Sequence, residues 1–231
     1  MELCIDTSTR YASVALTADG SIIKEVSWHS SKNHTLELAT TVAAMLEDAG
    51  VGVSDVDSMI VAKGPGGFSA LRVGMGFAKG LAESMGIPLV GVSTLEIEVA
   101  HFFDTAQEIP LCPMLEVGRD RFAWSLYERS SAEWSLSIDE QVTTLEAMVD
   151  AVPDGTLFCG EGASEALDRL QALGRGKETV IATAPPTRKP LILSTLGLRA
   201  LATGVVADST AMEPNYLRQP SITMPSTTKP K

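Results

Sequence analysis

Residues 2–29 read ELCIDTSTRYASVALTADGSIIKEVSWH, and the prediction of the fold starts from this stretch. Apolar and polar residues alternate through ELCIDTS, YASVALTA and SIIKEVSWH, which is the period of side chains along a β-strand. Asp19-Gly20, between the second and third segments, is a strong signal for a hairpin turn. The sequence therefore predicts three antiparallel strands at the amino end.

The period of the apolar residues changes after this unit. The predicted elements are a helix over 34–50, a strand over 59–64, a helix over 68–86, a strand over 87–92 and a helix over 93–103. The first two helices end at glycines suited to a C-cap, and the third begins at Ser93, with Glu96 three residues later. Three antiparallel strands followed by alternating helices and strands form a mixed sheet with crossover helices, in the order of the ribonuclease H-like fold.

The second half of the chain repeats this order. Three strands are predicted over 110–118, 121–128 and 133–138, then a helix over 143–152, a strand over 156–160, a helix over 161–174, a strand over 179–183 and a helix over 190–204. A duplicated unit of this kind is the α/β architecture of the actin-like ATPase superfamily, with two lobes built on mixed β-sheets. The predicted lobes are residues 1–103 and 104–216, with the last helix able to return to the first lobe. Residues 217–231 are rich in Pro, Ser and Thr and predict a disordered tail.

Composition and charge exclude several classes of protein. The chain of 231 residues has a formal net charge of −11 and a sequence pI near 4.7, which disfavours strong binding of nucleic acid by this chain alone. No apolar run approaches the roughly 20 residues that span a bilayer, and Met1 leads into a strand without a basic segment. No membrane association and no signal peptide are therefore expected.

The cysteines and histidines indicate neither a disulfide framework nor a metal site. Cys4, Cys112 and Cys159 each lie in an apolar, strand-like run, so they are interpreted as small buried hydrophobic residues of a cytoplasmic protein. The three histidines are not spaced as an H-E-x-x-H or H-x-x-x-H pair. The sequence supplies no self-sufficient catalytic residues, and the expectation is no catalytic residue and no metal.

The glycine-rich segment KGPGGFSALRVGMGFAKG (residues 63–80) has two readings. It lacks the Lys-Ser or Lys-Thr pair of a P-loop and the G-x-G-x-x-G pattern of a dinucleotide site, so a tight strand-to-helix turn is favoured over phosphate binding. Gly74, Gly76 and Gly80 are costly inside a helix and suggest the close approach of another backbone.

Both of the first two helices carry apolar residues on more than one face. A wide face toward the core is one interpretation, and an interface between subunits is the other. The residues assigned to a partner interface are Leu38, Val42, Met45, Phe68, Leu71, Arg72, Met75, Ala78, Lys79 and Ala82.

The turn Asp6-Thr7-Ser8-Thr9, after the first strand, also has two readings. In actin-like ATPases an acidic residue and small hydroxyls at this turn meet phosphate and magnesium, so Asp6, Thr7, Ser8 and Thr9 are candidate nucleotide-binding residues. The same residue types form an ordinary Asx or Ser/Thr turn.

Taken together, these segments resemble the bacterial TsaB family, also called YeaZ. The matching segments are CIDTST (4–9), KGPGGFSALRVGMGFAKGLA (63–82), IPLVGVSTLE (87–96), FCGEGA (158–163) and EPNYLR (213–218). They follow the order of the family along nearly the whole chain. The glycine segment and GVSTLE are the most specific, whereas DTST and GEGA alone are weak.

The resemblance implies a two-lobed, actin-like protein that takes part in making threonylcarbamoyladenosine (t6A) on transfer RNA. It implies a non-catalytic scaffold and activator that docks through its two helices on a TsaD-type transferase, a paralogue of similar fold. That enzyme carries an H-x-x-x-H metal pair on the helix where this chain has Thr94 and Glu98. A TsaE-type ATPase in the complex, a homodimer when the chain is alone, and ATP or ADP at the joint with the partner complete the expectation, with no cofactor of the chain's own.

Two other functions compete with this one. A stand-alone ATPase or kinase of the actin-like superfamily would use Asp6 and Thr9 around Mg-ATP. A metallopeptidase, an old label for the wider glycoprotease-like family, would need the histidine pair that this sequence lacks.

Overall fold

The computed structural model describes residues 1–31, 33–104, 109–130, 133–173, 184–204 and 211–217. Its strands are β1 (Glu2–Asp6), β2 (Tyr11–Ala18), β3 (Ser21–His29), β4 (Ser58–Ala62), β5 (Leu89–Val92), β6 (Leu111–Glu116), β7 (Phe122–Ser130), β8 (Glu133–Thr143) and β9 (Leu157–Cys159). Its helices are α1 (His34–Ala49), α2 (Phe68–Met85), α3 (Thr94–Ala100), α4 (Leu145–Ala151), α5 (Glu161–Glu165), α6 (Leu167–Ala172) and α7 (Pro190–Ala202), with a 3-10 turn at Val53–Asp55.

Two mixed sheets confirm the expected α/β architecture. The first has the strand order β3-β2-β1-β4-β5, in which β1 pairs antiparallel with β2 and parallel with β4. The second has the order β8-β7-β6-β9, with β6 antiparallel to β7 and parallel to β9. The second sheet therefore repeats the first four strand positions of the first sheet, as the duplicated sequence pattern predicts.

The strands of the first sheet place apolar side chains on both faces of the sheet. Leu3 and Ile5 of β1 pack into one core with α1 and α2, whereas Cys4 lies in a second core with α3 and α7. Successive side chains of a strand point to opposite faces, so one short strand supplies both cores. The last helix among the described residues, α7, thus packs on the first sheet, where a methyl group on Gly197 would lie 2.4 Å from Ile60 Cγ2.

The helix α3 joins the two halves of the molecule. Its Ile97 belongs to the core beneath the first sheet, while Val99 packs with Leu111, Tyr127 and Cys159 of the second sheet. The other face of the second sheet is covered by α4, α5 and α6. Side chains from both sheets therefore pack against α3.

Some sequence expectations for the second half differ from the structure. The sequence predicts one helix over residues 161–174, but α5 and α6 are separate because Ala166 leaves the helical conformation (φ −98°, ψ 9°). The predicted strand over 179–183 and all but Leu217 of the predicted tail lie outside the described residues. The lobe boundary near residue 103 stays a prediction.

The partner interface expected from the sequence needs a correction. Seven of its residues are buried in their own lobe, at 3% exposure or less, and present no side chain to a partner: Leu38, Val42, Met45, Leu71, Met75, Ala78 and Ala82. They lie on the inner faces of α1 and α2, because residues three and four apart share one helix face; α1 packs mainly on β3 and β2, and α2 packs mainly on β4. Phe68, Arg72 and Lys79 keep some exposure.

The three interior glycines of α2 serve different purposes. Gly74 faces inward, where a methyl group would lie 2.3 Å from Thr7 Oγ1, so it permits close packing of α2 on β1. Gly76 and Gly80 face outward, and a methyl group on either one would have no atom of another described element within 4 Å. The predicted close approach is therefore made within the chain at Gly74 and left open at the other two positions.

Candidate functional site

The turn after β1 brings Asp6, Thr7, Ser8 and Thr9 to the carboxyl end of the first sheet. Asp6 Oδ1 accepts hydrogen bonds from the Ser8 backbone N–H (2.8 Å) and the Ser8 hydroxyl (2.5 Å), which is an Asx turn. The Thr7 hydroxyl donates to the Ala70 carbonyl of α2 (2.7 Å). The glycine segment packs against this turn, because a methyl group on Gly66 would lie 2.2 Å from the Ser8 carbonyl oxygen.

The corresponding turn of the second half follows β9 and begins α5. Gly160 has a positive φ of 91°, and a methyl group on Gly162 would lie 2.7 Å from the Met114 carbonyl oxygen. This close approach to β6 places Glu161 next to the first turn, where its Oε2 accepts a hydrogen bond from the Thr9 hydroxyl (2.9 Å). The Asp6–Thr9 turn and the turn that holds Glu161 therefore face each other.

Arg188, just before α7, fills the space between these turns. Its side chain is 2% exposed. Nε donates to Asp6 Oδ2 (2.7 Å), and Nη1 donates to Glu98 Oε1 (3.0 Å) and Glu161 Oε2 (2.8 Å). Nη2 donates to Thr9 Oγ1 (2.7 Å) and to the Tyr11 carbonyl (3.0 Å).

The charges around Arg188 control its ionisation. Burial by itself would lower the pKa of Arg188, but Asp6, Glu98 and Glu161 outweigh burial and hold that pKa above its ordinary value. Burial raises the pKa of Glu98, although Arg188 and the Thr187 hydroxyl oppose the rise. The guanidinium is therefore permanently charged, whereas burial works against ionisation of Glu98.

The positions where the resemblance places a metal pair hold Thr94 and Glu98, one turn apart on α3. Both are buried, and within the described residues Thr94 Oγ1 and Glu98 Oε2 have no hydrogen-bond partner. The described part of the chain contains no group of three or more His, Cys, Asp or Glu side chains arranged to hold a metal. The expectation that the chain holds no metal stays a prediction.

A cavity of about 470 Å³ opens beside the two turns. Carboxylates and the amino ends of α1 and α2 contribute to its wall. Its lining residues are Ser8, Thr9, Arg10, His34, Gly66, Gly67, Ala70, Leu115, Glu116, Gly118, Glu161 and Glu165.

A second surface is formed by the outward sides of α1 and α2. Leu36 is 62% exposed, and Ala39, Ala43, Gly76 and Gly80 are also exposed. Small residues on both helices leave their backbones open to close approach by another helix. We call these five residues the outer helix face.

The C-terminal segment 211–217 borders this face. The Tyr216 hydroxyl accepts a hydrogen bond from Arg72 Nε (2.9 Å), and the Tyr216 and Phe68 rings are 4.8 Å apart. Lys79 Nζ donates to the Met212 carbonyl (2.9 Å). Phe68, Arg72 and Lys79, which the sequence assigned to a partner, therefore hold the chain's own C-terminal segment.

Sequence reasoning found the Asp6–Thr9 turn, the GEGA turn and Glu98, but it missed Arg188. No periodicity or motif marks Arg188, since it lies in the short connection before α7. The one available signal was a single arginine beside two prolines and a threonine in a chain with an excess of acidic residues.

Comparison with known proteins identifies the family. The family model described as "TsaD: tRNA N6-adenosine threonylcarbamoyltransferase" matches residues 24–212. The tRNA threonylcarbamoyladenosine biosynthesis protein TsaB of Bacillus subtilis is 28% identical over 221 residues, covering 94% of this chain and 93% of that protein. The protein of the same name from Escherichia coli is 37% identical over 93 residues, covering 40% of each chain.

Among the described residues, no helix combines the length and the apolar character that crossing a bilayer requires.

A solved structure agrees with these sequence matches. YeaZ from Pseudomonas aeruginosa superposes with a TM-score of 0.75 at 26% identity, covering 93% of this chain and 98% of that one. The chain therefore belongs to the TsaD family of tRNA N6-adenosine threonylcarbamoyltransferases, and within it to the TsaB (YeaZ) proteins.

Proposed function

We propose that this chain takes part in t6A biosynthesis on transfer RNA as a non-catalytic partner that docks on and activates a TsaD-type transferase. The names of the Bacillus and Escherichia relatives support the pathway. The observation that carries the non-catalytic role is the engagement of Asp6, Glu98 and Glu161 by Arg188. Carboxylates that are already bound to an internal guanidinium are poorly placed to hold a catalytic metal.

The outer helix face is the proposed docking surface. It replaces the seven buried residues named from the sequence, and it keeps the same two helices. Exposed Ala39, Ala43, Gly76 and Gly80 allow a partner helix to approach closely, and Leu36 adds apolar area at one end. The same face is proposed to form the homodimer when the chain is alone, so the two assemblies compete.

Ala43→Arg tests this surface. Ala43 is exposed near the middle of α1, so a long charged side chain there leaves the core intact and blocks close helix packing. Ala147→Arg is the matched control, since Ala147 is also exposed on a helix, α4 of the second half. Titration calorimetry with the cognate TsaD-type protein should show a loss of at least tenfold in affinity for Ala43→Arg and no loss for Ala147→Arg.

The oligomeric state provides a second readout. Light scattering of the chain alone should show that Ala43→Arg shifts the population toward monomer. Equal affinity of both variants for the transferase would exclude the outer helix face as the docking surface, although the chain could still act in the pathway through another surface.

Nucleotide and the TsaE-type ATPase are proposed to join only the assembled complex. The hydroxyls of Thr7, Ser8 and Thr9 all make hydrogen bonds within the chain. We therefore expect no ATP hydrolysis above background from the isolated chain with Mg-ATP. Turnover that disappears in Asp6→Ala would favour the stand-alone ATPase instead.

A further inference from the structure

The carboxylates around Arg188 come from three separate parts of the fold. Asp6 ends β1 of the first sheet, Glu98 lies on α3 between the sheets, and Glu161 begins α5 against the second sheet. Each is within 3.0 Å of a guanidinium nitrogen. A single side chain thus contacts the first sheet, the helix between the sheets and the helix that begins against the second sheet.

The surroundings of Arg188 match a guanidinium in number and direction. A guanidinium has five N–H donors, and the five hydrogen bonds of Arg188 use Nε once and Nη1 and Nη2 twice each. Lysine has three donors on one nitrogen and cannot reproduce this planar fork. The acceptors are therefore arranged for a guanidinium and not for positive charge in general.

Burial makes the arrangement sensitive to loss of the cation. Asp6, Glu98 and Glu161 are at most 7% exposed, so without Arg188 they would lose the cation that they share, and any negative charge they kept would be poorly screened by water. Repulsion would act between elements of the two halves, because Glu161 is anchored to β6 through Gly162 while Asp6 is anchored to the first sheet.

We propose that these three carboxylates form a guanidinium-binding site in the cleft between the two halves, and that Arg188 is the internal ligand that fastens the halves together. The site is independent of docking on a transferase. When Arg188 is removed, the cleft opens, and a free guanidinium ion re-enters the site and closes it.

The test uses the full chain with spin labels at two exposed positions, Glu47→Cys on α1 and Asp150→Cys on α4, where the distance between the halves can be measured. The native cysteines are buried and do not compete for label. Arg188→Ala should broaden the distance distribution and lower the thermal midpoint by roughly 10 °C. Low-millimolar guanidinium chloride, but not sodium chloride, should narrow the distribution again.

Two further variants keep the test decisive. Arg169→Ala is the control, since Arg169 is 41% exposed and pairs with Asp120 and Glu146 at the surface, so it should change neither readout appreciably. Glu161→Gln keeps the size of the side chain, and it should loosen the halves even if Arg188→Ala does not fold. An unchanged interlobe distance in Glu161→Gln and Arg188→Ala, or recovery with sodium chloride as well as guanidinium, would overturn the proposal.

Discussion

Replacing Gly76 and Gly80 of α2 by alanine should make the isolated chain more stable and its docking weaker. Both glycines lie inside an 18-residue helix, and a methyl group at either position would meet no atom of another described element within 4 Å. Glycine has more conformational freedom to lose on folding than alanine, so an unobstructed substitution in a helix is favourable.

The magnitude follows from the position of each residue. Alanine is favoured over glycine in a helix interior by about 0.8–1 kcal/mol, so the double variant should gain about 2 kcal/mol in free energy of unfolding. For a chain of this length that gain raises the thermal midpoint by roughly 4–8 °C. Gly74→Ala is the matched control in the same helix, because its methyl group would lie 2.3 Å from Thr7 Oγ1 and should lower stability by roughly 1–3 kcal/mol.

Urea unfolding measures the first effect, and titration with the TsaD-type partner measures the second. If a partner helix packs on the outer helix face, two added methyl groups hold the backbones apart and affinity should fall about tenfold, or roughly 1.4 kcal/mol. If the double variant is no more stable than the native chain, the claim that the surroundings of the two glycines are open would be refuted. A stabilised variant that binds with native affinity would refute docking at this face.

Three further outcomes are expected. Burial and the nearby charge of Glu140 raise the pKa of Glu96 above its ordinary value of 4.5. The contribution of Glu96 to stability is therefore present below pH 4.5 and is lost as pH rises through the pKa of the folded state. Glu96→Gln should gain stability relative to the native chain as pH increases, and a difference in thermal midpoint that stays constant across the pH range would contradict this. Gly162→Ala should lower the thermal midpoint by several degrees, because its methyl group would lie 2.7 Å from the Met114 carbonyl oxygen, and an unchanged calorimetric midpoint would show that the backbone yields freely. Burial raises the pKa of Cys4 to about 12, and a thiol reagent should modify it only after unfolding, so rapid native-state labelling would count against its burial.

The sequence predicted the elements of the first half well because their signals are local. The alternation over residues 2–29 and the Asp19-Gly20 pair led to β1, β2 and β3 in their observed order. Helical spacing and a terminal glycine led to α1 and α2, whose C-caps, Gly50 and Gly86, take the left-handed conformation. Each of these signals depends on residues a few positions apart.

The choice of interface residues failed for a different reason. Periodicity showed that α1 and α2 have apolar residues on more than one face, but it cannot state which face the sheet covers. The large apolar residues of each helix, including Leu38 and Met75, belong to the core. The surface left for a partner consists of small residues such as Ala43 and Gly80. Small residues carry little hydrophobic signal, so the pattern pointed to the wrong side of each helix.

Local periods and short motifs were enough to predict the order of most strands and helices, the duplication and the family. The role of Arg188 follows only from the folded chain, because its Nε donates to Asp6 across 182 residues of sequence. Electrostatic pairing depends on distance in space and on exclusion of water, and neither is encoded at one position or in its neighbours. Folding of the two halves around α3 creates that enclosed space, and with it an arrangement in which three acidic side chains and an arginine stabilise each other.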